Sequence, residues 1–224
     1  MSLLGYLFSA AKIVIIFEIA IQICNFFRTF VLEMKLLVEN DIWGFGLEAA
    51  LAEISPQRRE QALRYRHELG QRQCVLAYLL LKRGLSEEFG IRENPLFEYG
   101  EHGKPQLAGY PEVFFNMSHC REAVVCAVSN RPVGVDVETI GRYKESLVRY
   151  TMNDDECQQI LQAERPDVEF IRLWTMKEAR LKLTGEGISS DMKTTLADAG
   201  NYHFETVIDK ELRYVYTICE ENEG

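Results

Sequence analysis

The 224-residue sequence lacks the patterns that mark several large classes of protein. It has six cysteines but no Cys-x-x-Cys pair and no zinc-finger spacing, so neither a structural zinc site nor a redox motif is predicted. Its formal net charge of −9 lacks the basic excess that nucleic-acid binding requires. No Ser-rich or Pro-rich stretch indicates a long linker. We therefore expect no nucleic-acid partner, and we interpret the cysteines as reduced thiols of a cytoplasmic protein.

Residues 1–33 are strongly apolar, but they lack an uninterrupted run of the length that a membrane-spanning helix needs. The interrupting polar residues include Lys12, Glu18, Gln22 and Asn25. No basic segment precedes the apolar stretch, as it would in a signal peptide. We prefer translation from Met34, with residues 1–33 as an over-extended reading frame and no membrane contact. An amphipathic, membrane-associated helix is the alternative.

Valine alternates with small or acidic residues over residues 133–138, which is the period of a strand with one apolar and one polar face. Asp136 and Glu138 therefore project to the same side. The apolar run 123–128 and the turn-like residues 129–132 precede this strand, so the two runs are predicted to form a β-hairpin. Carboxylates on a rigid sheet suit a metal site. The alternative is a polar strand face that is simply solvated.

A second chemical pattern lies on a predicted helix from about Val168 to Thr184, which ends at Gly185 and Gly187. Its residues Trp174, Glu178 and Lys182 are four apart and share one face. A Glu–Lys pair at this spacing often does no more than support its helix.

The three carboxylates of Asp136, Glu138 and Glu178 nevertheless suit a hard divalent cation. Mg²⁺ takes oxygen ligands and is commonly held by one or two carboxylates together with substrate phosphates. The two patterns together predict an enzyme that binds a metal–phosphate substrate.

Four segments follow one another along the chain: Gly103-Lys104-Pro105, Phe115-Asn116-Met117-Ser118-His119, the strand with Asp136 and Glu138, and the helix from Trp174 to Lys182. This series resembles the 4′-phosphopantetheinyl transferase superfamily, specifically the Sfp-type enzymes. These enzymes move the phosphopantetheine arm of coenzyme A onto a serine of a carrier protein. The resemblance begins near Met34, continues through residues 54–60 and His67, and carries on past Gly187.

The resemblance implies an α+β fold of two similar α/β subdomains in a pseudo-twofold arrangement, with coenzyme A between them. We expect an apolar N-terminal extension at 1–33, an N-terminal half at 34–111 and a C-terminal half with the metal site at 112–224. Each half offers a long amphipathic helix, at Arg64 to Leu81 and at Val168 to Leu183. The pseudodimeric type implies a monomer.

In this family the three carboxylates that match Asp136, Glu138 and Glu178 hold Mg²⁺ against the pyrophosphate of coenzyme A. Mn²⁺ is an alternative, because it also accepts oxygen ligands. The resemblance implies that Glu178, directly or through a metal-bound water, takes the proton from the carrier serine. Lys182 would neutralise or protonate the departing adenosine 3′,5′-bisphosphate.

The resemblance also implies the contacts to coenzyme A. Ser118 and His119, which follow an apolar strand at 113–115, would contact its phosphates. Lys104 and Pro105 would lie near its adenine, although an ordinary surface turn is as good an interpretation of the Lys104 side chain.

Arg58 matches the family's basic residue for the 3′-phosphate, and Arg72 is a candidate for a further phosphate contact. Gln61 stands where some relatives carry another basic residue, so we expect weaker discrimination against dephospho-coenzyme A.

The expected partner is an apo acyl, peptidyl or aryl carrier protein of fatty-acid, polyketide or non-ribosomal peptide biosynthesis. Arg142, Lys144 and Arg149 lie where the family faces its carrier, with a solvated helix as the alternative. Two other functions stay open: a non-catalytic module that binds coenzyme A or the carrier, and a metal-dependent phosphohydrolase.

Overall fold

The computed structural model describes residues 34–100, 103–141, 143–187 and 191–222, so the predicted extension at 1–33 lies outside the described residues. The helices of the described chain are α1 (Leu47–Glu53), α2 (Pro56–Leu63), α3 (Glu68–Gly84), α4 (Glu145–Thr151), α5 (Asp154–Gln162) and α6 (Pro166–Thr184). Its strands are β1 (Lys35–Glu39), β2 (Phe97–Tyr99), β3 (Pro105–Leu107), β4 (Phe114–His119), β5 (Val124–Ser129), β6 (Val133–Thr139), β7 (Tyr202–Ile208) and β8 (Tyr214–Glu221). This mixture confirms the predicted α+β class.

The strands form three antiparallel sheets, in the orders β1-β5-β4, β2-β3 and β6-β8-β7. The predicted hairpin of β5 with β6 is therefore wrong. Both edges of β5 are occupied, by β1 on one side and β4 on the other, so β5 has no edge left for β6. β6 pairs with β8 instead, from Val133 opposite Glu220 to Thr139 opposite Tyr214.

The first sheet packs against α3 through a large apolar cluster. Alternate residues of β5 divide between two clusters: Val124, Cys126 and Val128 pack with α3, whereas Val125 and Ala127 pack with the valines of β6. This division explains why β5 is apolar along its whole length. The predicted first long helix begins at Glu68 rather than Arg64, because Arg64 and Tyr65 close a turn after α2 with backbone hydrogen bonds to Gln61 and Ala62.

Helix α6 covers the β6-β8-β7 sheet and contacts all three of its strands. It begins at Pro166, two residues before the predicted Val168, because the missing N–H of proline costs nothing in the first turn. It ends at Thr184 as predicted, and Gly185 caps it in the left-handed conformation (φ 78°). It is buried on nearly all sides, so the prediction that this helix is amphipathic is wrong. No helix of the described chain has both the length and the apolar character that crossing a membrane would require.

The two larger sheets meet where β4 lies beside β6, and the Asn116 side chain accepts a hydrogen bond there from the Val135 backbone N–H at 3.1 Å. Residues 34–224 cluster as one unit, in which β1, from before position 111, pairs with β5, from after it. The division into halves at 111 and 112 and the pseudo-twofold relation both stay predictions. The five cysteines in the described residues are free thiols.

Candidate active site

The polar face of β6 is turned toward α6 rather than toward solvent. Gly134 lies on this face, and a Cβ atom built on it would stand 2.0 Å from the Ala179 carbonyl oxygen and 2.6 Å from the Leu183 nitrogen. Only a glycine therefore lets the α6 backbone approach so closely. Asp136 and Glu138 follow at the same alternation, so they too face α6. The interpretation of this face as merely solvated is wrong for Asp136, which is 4% exposed.

Asp136 lies at the centre of a small polar cluster. Its Oδ1 accepts hydrogen bonds from Lys182 Nζ at 2.6 Å and from Ser118 Oγ at 2.9 Å, and Lys182 Nζ also donates to Ser118 Oγ at 2.8 Å. The three side chains come from β6, α6 and β4, so the fold brings together three of the segments that the sequence singles out. Asp136 Oδ2 is buried and has no hydrogen-bond partner in the described structure.

Glu178 lies beside this cluster on α6 and is 8% exposed. Its pKa is raised above the ordinary value, first by burial and then by the negative charge of Asp136, while Lys182 acts in the opposite direction. The influence of Asp136 means that the two carboxylates are close enough to repel each other.

These carboxylates fit a hard cation. A buried carboxylate oxygen without a partner is costly, and a second carboxylate nearby adds repulsion that a cation would relieve. The donor oxygens of Asp136 and Glu178, together with the half-buried Glu138, are the type that Mg²⁺ prefers. Within the described residues no three His, Cys, Asp or Glu side chains are already gathered as a metal cluster. The metal-ligand roles of all three residues therefore stay predictions.

Two clefts flank the cluster. One is lined by the loop residues Gly103 to Pro105, by Glu178 and Lys182, and by Gly185 and Gly187 beyond α6. The other is lined by His119, Cys120 and Glu138 with Leu69 and Gln73 of α3. Glu178 and Lys182 thus face the first cleft, whereas His119 and Glu138 face the second.

His119 ends β4 as part of that strand, and its side chain is exposed overall. The pKa of its imidazole is nevertheless lowered, first by desolvation and then by the positive charges of Lys182 and Arg58. Its predicted contact with a phosphate stays a prediction.

Two of the basic residues predicted to contact coenzyme A, Lys104 and Arg58, donate hydrogen bonds to backbone carbonyl oxygens. Lys104 Nζ donates to the Leu183 carbonyl oxygen at 2.8 Å, and burial lowers the pKa of this ammonium. Arg58 is 8% exposed, and its Nε and Nη2 donate to the Cys74 carbonyl oxygen at 3.1 and 2.8 Å. Both side chains thus have structural contacts, and their coenzyme A roles stay predictions.

Arg72 donates to Glu68 Oε1 at 2.8 Å and to the Phe45 carbonyl oxygen at 2.9 Å. Its guanidinium also lies 4.8 Å from the ring centre of Trp43, which is exposed. These contacts attach α3 to the loop after β1. The predicted phosphate contact of Arg72 stays a prediction.

Sequence reasoning assigned no role to Asn116 and did not anticipate the close approach at Gly134. Asn116 joins β4 to β6 and so sets the distance from Ser118 to Asp136. Its signal in the sequence was an amide directly after the apolar residues 113–115. The glycine had no comparable signal, because its contact with α6 depends on tertiary packing.

Comparison with known proteins gives this geometry a family. Residues 132–220, which include Asp136, Glu138, Glu178 and Lys182, match the family model described as the 4′-phosphopantetheinyl transferase superfamily. The chain is 31% identical to the 4′-phosphopantetheinyl transferase gsp of Aneurinibacillus migulanus over 177 residues, which cover 78% of this chain and 73% of that protein.

Two further relatives match at similar levels. The 4′-phosphopantetheinyl transferase psf-1 of Bacillus pumilus is 35% identical over 147 residues, which span 64% of this chain and 63% of the relative, less than two thirds of its length. A 4′-phosphopantetheinyl transferase of Bacillus subtilis is 27% identical over 180 residues, which span 77% of this chain and 80% of the relative. The 31% identity over 73% of the Aneurinibacillus migulanus protein, with the family model's match over the site residues, shows that the chain belongs to the 4′-phosphopantetheinyl transferase superfamily.

Proposed function

We propose that this protein transfers the 4′-phosphopantetheine group of coenzyme A to a serine of an apo carrier protein. The products are the holo carrier and adenosine 3′,5′-bisphosphate. The observation that carries the proposal is the cluster of Asp136, Ser118 and Lys182, with Glu178 beside it, between two clefts. Family membership supports the same reaction.

The reaction exchanges one phosphorus–oxygen bond for another. The carrier serine oxygen forms a bond to the phosphorus that bears the pantetheine, and the bond from that phosphorus to the bridging pyrophosphate oxygen breaks. The serine proton must leave during the attack, and negative charge develops on the departing adenosine 3′,5′-bisphosphate. Phosphoryl transfer depends mainly on positioning and on neutralising this charge.

Glu178 and Lys182 are suited to these two tasks. We assign to Glu178 the acceptance of the serine proton and to Lys182 the neutralisation of the leaving phosphate. Lys182 is held by Asp136 and Ser118, which supports a fixed position for its ammonium group. Mg²⁺, or Mn²⁺, bound by Asp136, Glu138 and Glu178 would supply further neutralisation of the pyrophosphate.

The flanking clefts support a path for the rest of coenzyme A. We assign the phosphates to Ser118 and His119, and the adenine to the loop with Lys104 and Pro105, whose cleft also contains Lys182. The Lys104 side chain contacts α6, so its backbone is the part of this residue that is available to adenine. We retain Arg58 as the candidate for the 3′-phosphate and Arg72 as the candidate for a further phosphate contact.

We assign the carrier to the side of the molecule formed by α4. Lys144 and Arg149 are exposed there, and Tyr150, which is 79% exposed, borders a cavity that also contains Trp174 and Glu138. Arg142, the third basic residue of the predicted docking segment, lies outside the described residues. We further propose that the enzyme is a monomer and that it is cytoplasmic. The free thiols of the described cysteines support the second of these proposals.

The proposal is tested by chromatography of the adenosine products after incubation with coenzyme A and Mg²⁺, with and without an apo carrier. We expect adenosine 3′,5′-bisphosphate only when the apo carrier is present. Release without any carrier would instead identify a phosphohydrolase. Binding of coenzyme A with no product for acyl, peptidyl or aryl carriers would identify a non-catalytic module.

A further inference from the structure

One charged residue of the helix motif has no part in the proposed mechanism. Lys177 directly precedes Glu178 on α6, and it is 0% exposed. A lysine is almost never fully buried unless its ammonium group is paired, because removing the charge from water is costly. The contacts of this ammonium therefore indicate what the residue does.

Lys177 Nζ donates three hydrogen bonds, one to each of three different segments. It donates to the Thr151 carbonyl oxygen at 3.1 Å, to Glu156 Oε2 at 2.6 Å and to the Met192 carbonyl oxygen at 2.6 Å. These three bonds use every hydrogen that an ammonium has. The first acceptor is the last residue of α4 and the second lies in the first turn of α5.

At the corner between α4 and α5, the end of α4 and the buried Glu156 carboxylate both favour a cation. The last carbonyl oxygens of α4 accept no hydrogen bond within the helix, and the helix dipole favours a cation near them. Glu156 forms a capping box with Asn153, in which Glu156 Oε2 accepts the Asn153 N–H at 2.8 Å. The same oxygen accepts the bond from Lys177. Lys177 thus joins the end of α4 and the start of α5 to the helix that carries Glu178.

We infer that Lys177 is a positioning residue that fixes the corner between α4 and α5 against α6 and thereby sets the carrier-binding side of the active site. The inference rests on the proposed function, since α4 is the helix assigned to the carrier. The three acceptors of Lys177, in Thr151, Glu156 and Met192, line neither of the two clefts that flank the cluster. Loss of Lys177 should therefore affect the carrier more than coenzyme A.

The test uses Lys177→Met in the full chain. This change keeps much of the side-chain volume but removes all three donors. Because Glu156 would remain buried without its cation, the paired variant Lys177→Met with Glu156→Gln provides a second protein that retains the acceptor for Asn153 without an unpaired charge. The matched control is Thr175→Val, since Thr175 is buried on the same helix but bonds to Thr217 of β8 at 2.8 Å.

We expect both Lys177 variants to raise the KM for an apo carrier on the order of tenfold, because small misplacements away from the reacting atoms are costly. The Kd for coenzyme A, measured by calorimetry, should change less than about twofold. The Thr175 control should change neither constant. An equal loss of affinity for coenzyme A and for the carrier, or no change in the carrier KM, would overturn the inference.

Hydrogen exchange tests whether Lys177 holds the corner between α4 and α5, and this measurement does not need turnover. Backbone amides of α4 and of the first turn of α5 should exchange faster in both Lys177 variants, while those of β7 and β8 should not. Unchanged exchange at this corner would overturn the inference that Lys177 holds it. A wild-type protein that modifies no carrier would overturn the proposed function, and with it the carrier assignment, while the exchange result would still stand.

Discussion

Gly134 is the residue on which the closeness of β6 and α6 depends. A methyl group at this position would meet the Ala179 carbonyl oxygen at 2.0 Å and the Leu183 nitrogen at 2.6 Å. Both are backbone atoms, so the helix itself must move. We expect Gly134→Ala to lower the free energy of unfolding by about 1–3 kcal/mol, as overpacking does. It should also reduce transfer more than this loss of stability explains, because Glu178 and Lys182 move with α6.

Urea denaturation and the transfer rate of the folded variant check this prediction. Gly200→Ala is the matched control, since a Cβ there would meet no atom within 4 Å. If both variants had the same stability and transfer rate as wild type, the close approach at Gly134 would not position the site.

His119 gives the site a pH dependence that can be measured as stability. Desolvation, followed by the positive charges of Lys182 and Arg58, lowers the pKa of its imidazole from 6.5, and the raising effects of its backbone hydrogen bond and of Asp136 are smaller. The folded state therefore binds this proton less readily than the unfolded chain does. The contribution of His119 is present above the unfolded pKa and is lost as the pH falls through the folded pKa.

We expect the free energy of unfolding of wild type, relative to His119→Gln, to decrease as the pH falls from about 8 to about 5. Urea denaturation of both proteins at several pH values gives this difference and cancels the titration of the shared carboxylates. A difference that is constant, or that increases toward low pH, would show that the pKa is not lowered.

At the scale of elements, Lys104 connects the loop before β3 to the end of α6. Its ammonium donates to the Leu183 carbonyl oxygen at 2.8 Å, next to Lys182. We expect Lys104→Met to lower the free energy of unfolding by about 1.5–3 kcal/mol, the range for hydrogen bonds of charged groups. Affinity for coenzyme A should also fall severalfold, because the last turn of α6 carries Lys182.

Urea denaturation and calorimetry with coenzyme A measure these two effects. Lys210→Met is the control, since Lys210 is an exposed lysine between β7 and β8 and should change neither quantity. Unaltered stability of the Lys104 variant would show that this hydrogen bond does not hold the end of α6.

Helix α6 was the element that the sequence predicted best, because its capping glycine and its four-residue spacing of Trp174, Glu178 and Lys182 are local. The pairing of β6 was predicted wrongly. Alternation along a strand specifies which side chains share a face, but it does not specify the neighbouring strand. The partner of β6 is β8, which lies about 80 residues further along the chain.

For the site too, the sequence predicted which residues take part but not all of their contacts. Asp136, Ser118 and Lys182 were each singled out by short motifs, and the structure brings them into contact. The burial of Arg58 and the attachment of Lys104 to α6 were not predictable, because both depend on carbonyl groups far away in the sequence. Lys177 was visible in the motif, but its three acceptors come from three separate segments.

At the scale of the whole molecule, the net charge of −9 opposes the approach of an acidic carrier. A local basic surface on α4 would offset this repulsion. We expect Lys144→Glu combined with Arg149→Glu to raise the carrier KM about tenfold at low salt, and the effect to shrink as salt screens it. Steady-state kinetics with an apo carrier at several salt concentrations measure this.

Arg64→Glu is one half of the matched control for the docking surface. Arg64 pairs with Glu60 at 2.6 Å, and Arg149 pairs with Glu145 at the same distance and spacing, with all four side chains exposed. Arg64→Glu combined with Lys210→Glu, at another exposed lysine outside α4, therefore makes the same total change of charge as the double change on α4. An equal effect of both changes would indicate a general charge effect, and no effect of either would remove α4 as the docking site.

The central claim is that the cluster around Glu178 transfers phosphopantetheine to a carrier serine. Intact-mass spectrometry of an apo carrier, incubated with coenzyme A, Mg²⁺ and the full chain, tests it most directly. We predict a gain of about 340 Da, the mass of one phosphopantetheine group attached covalently to serine. Wild type and the exposed-surface control Glu205→Ala should produce this gain, whereas Glu178→Ala should not. An unmodified carrier with wild type, or equal modification by Glu178→Ala, would contradict the account.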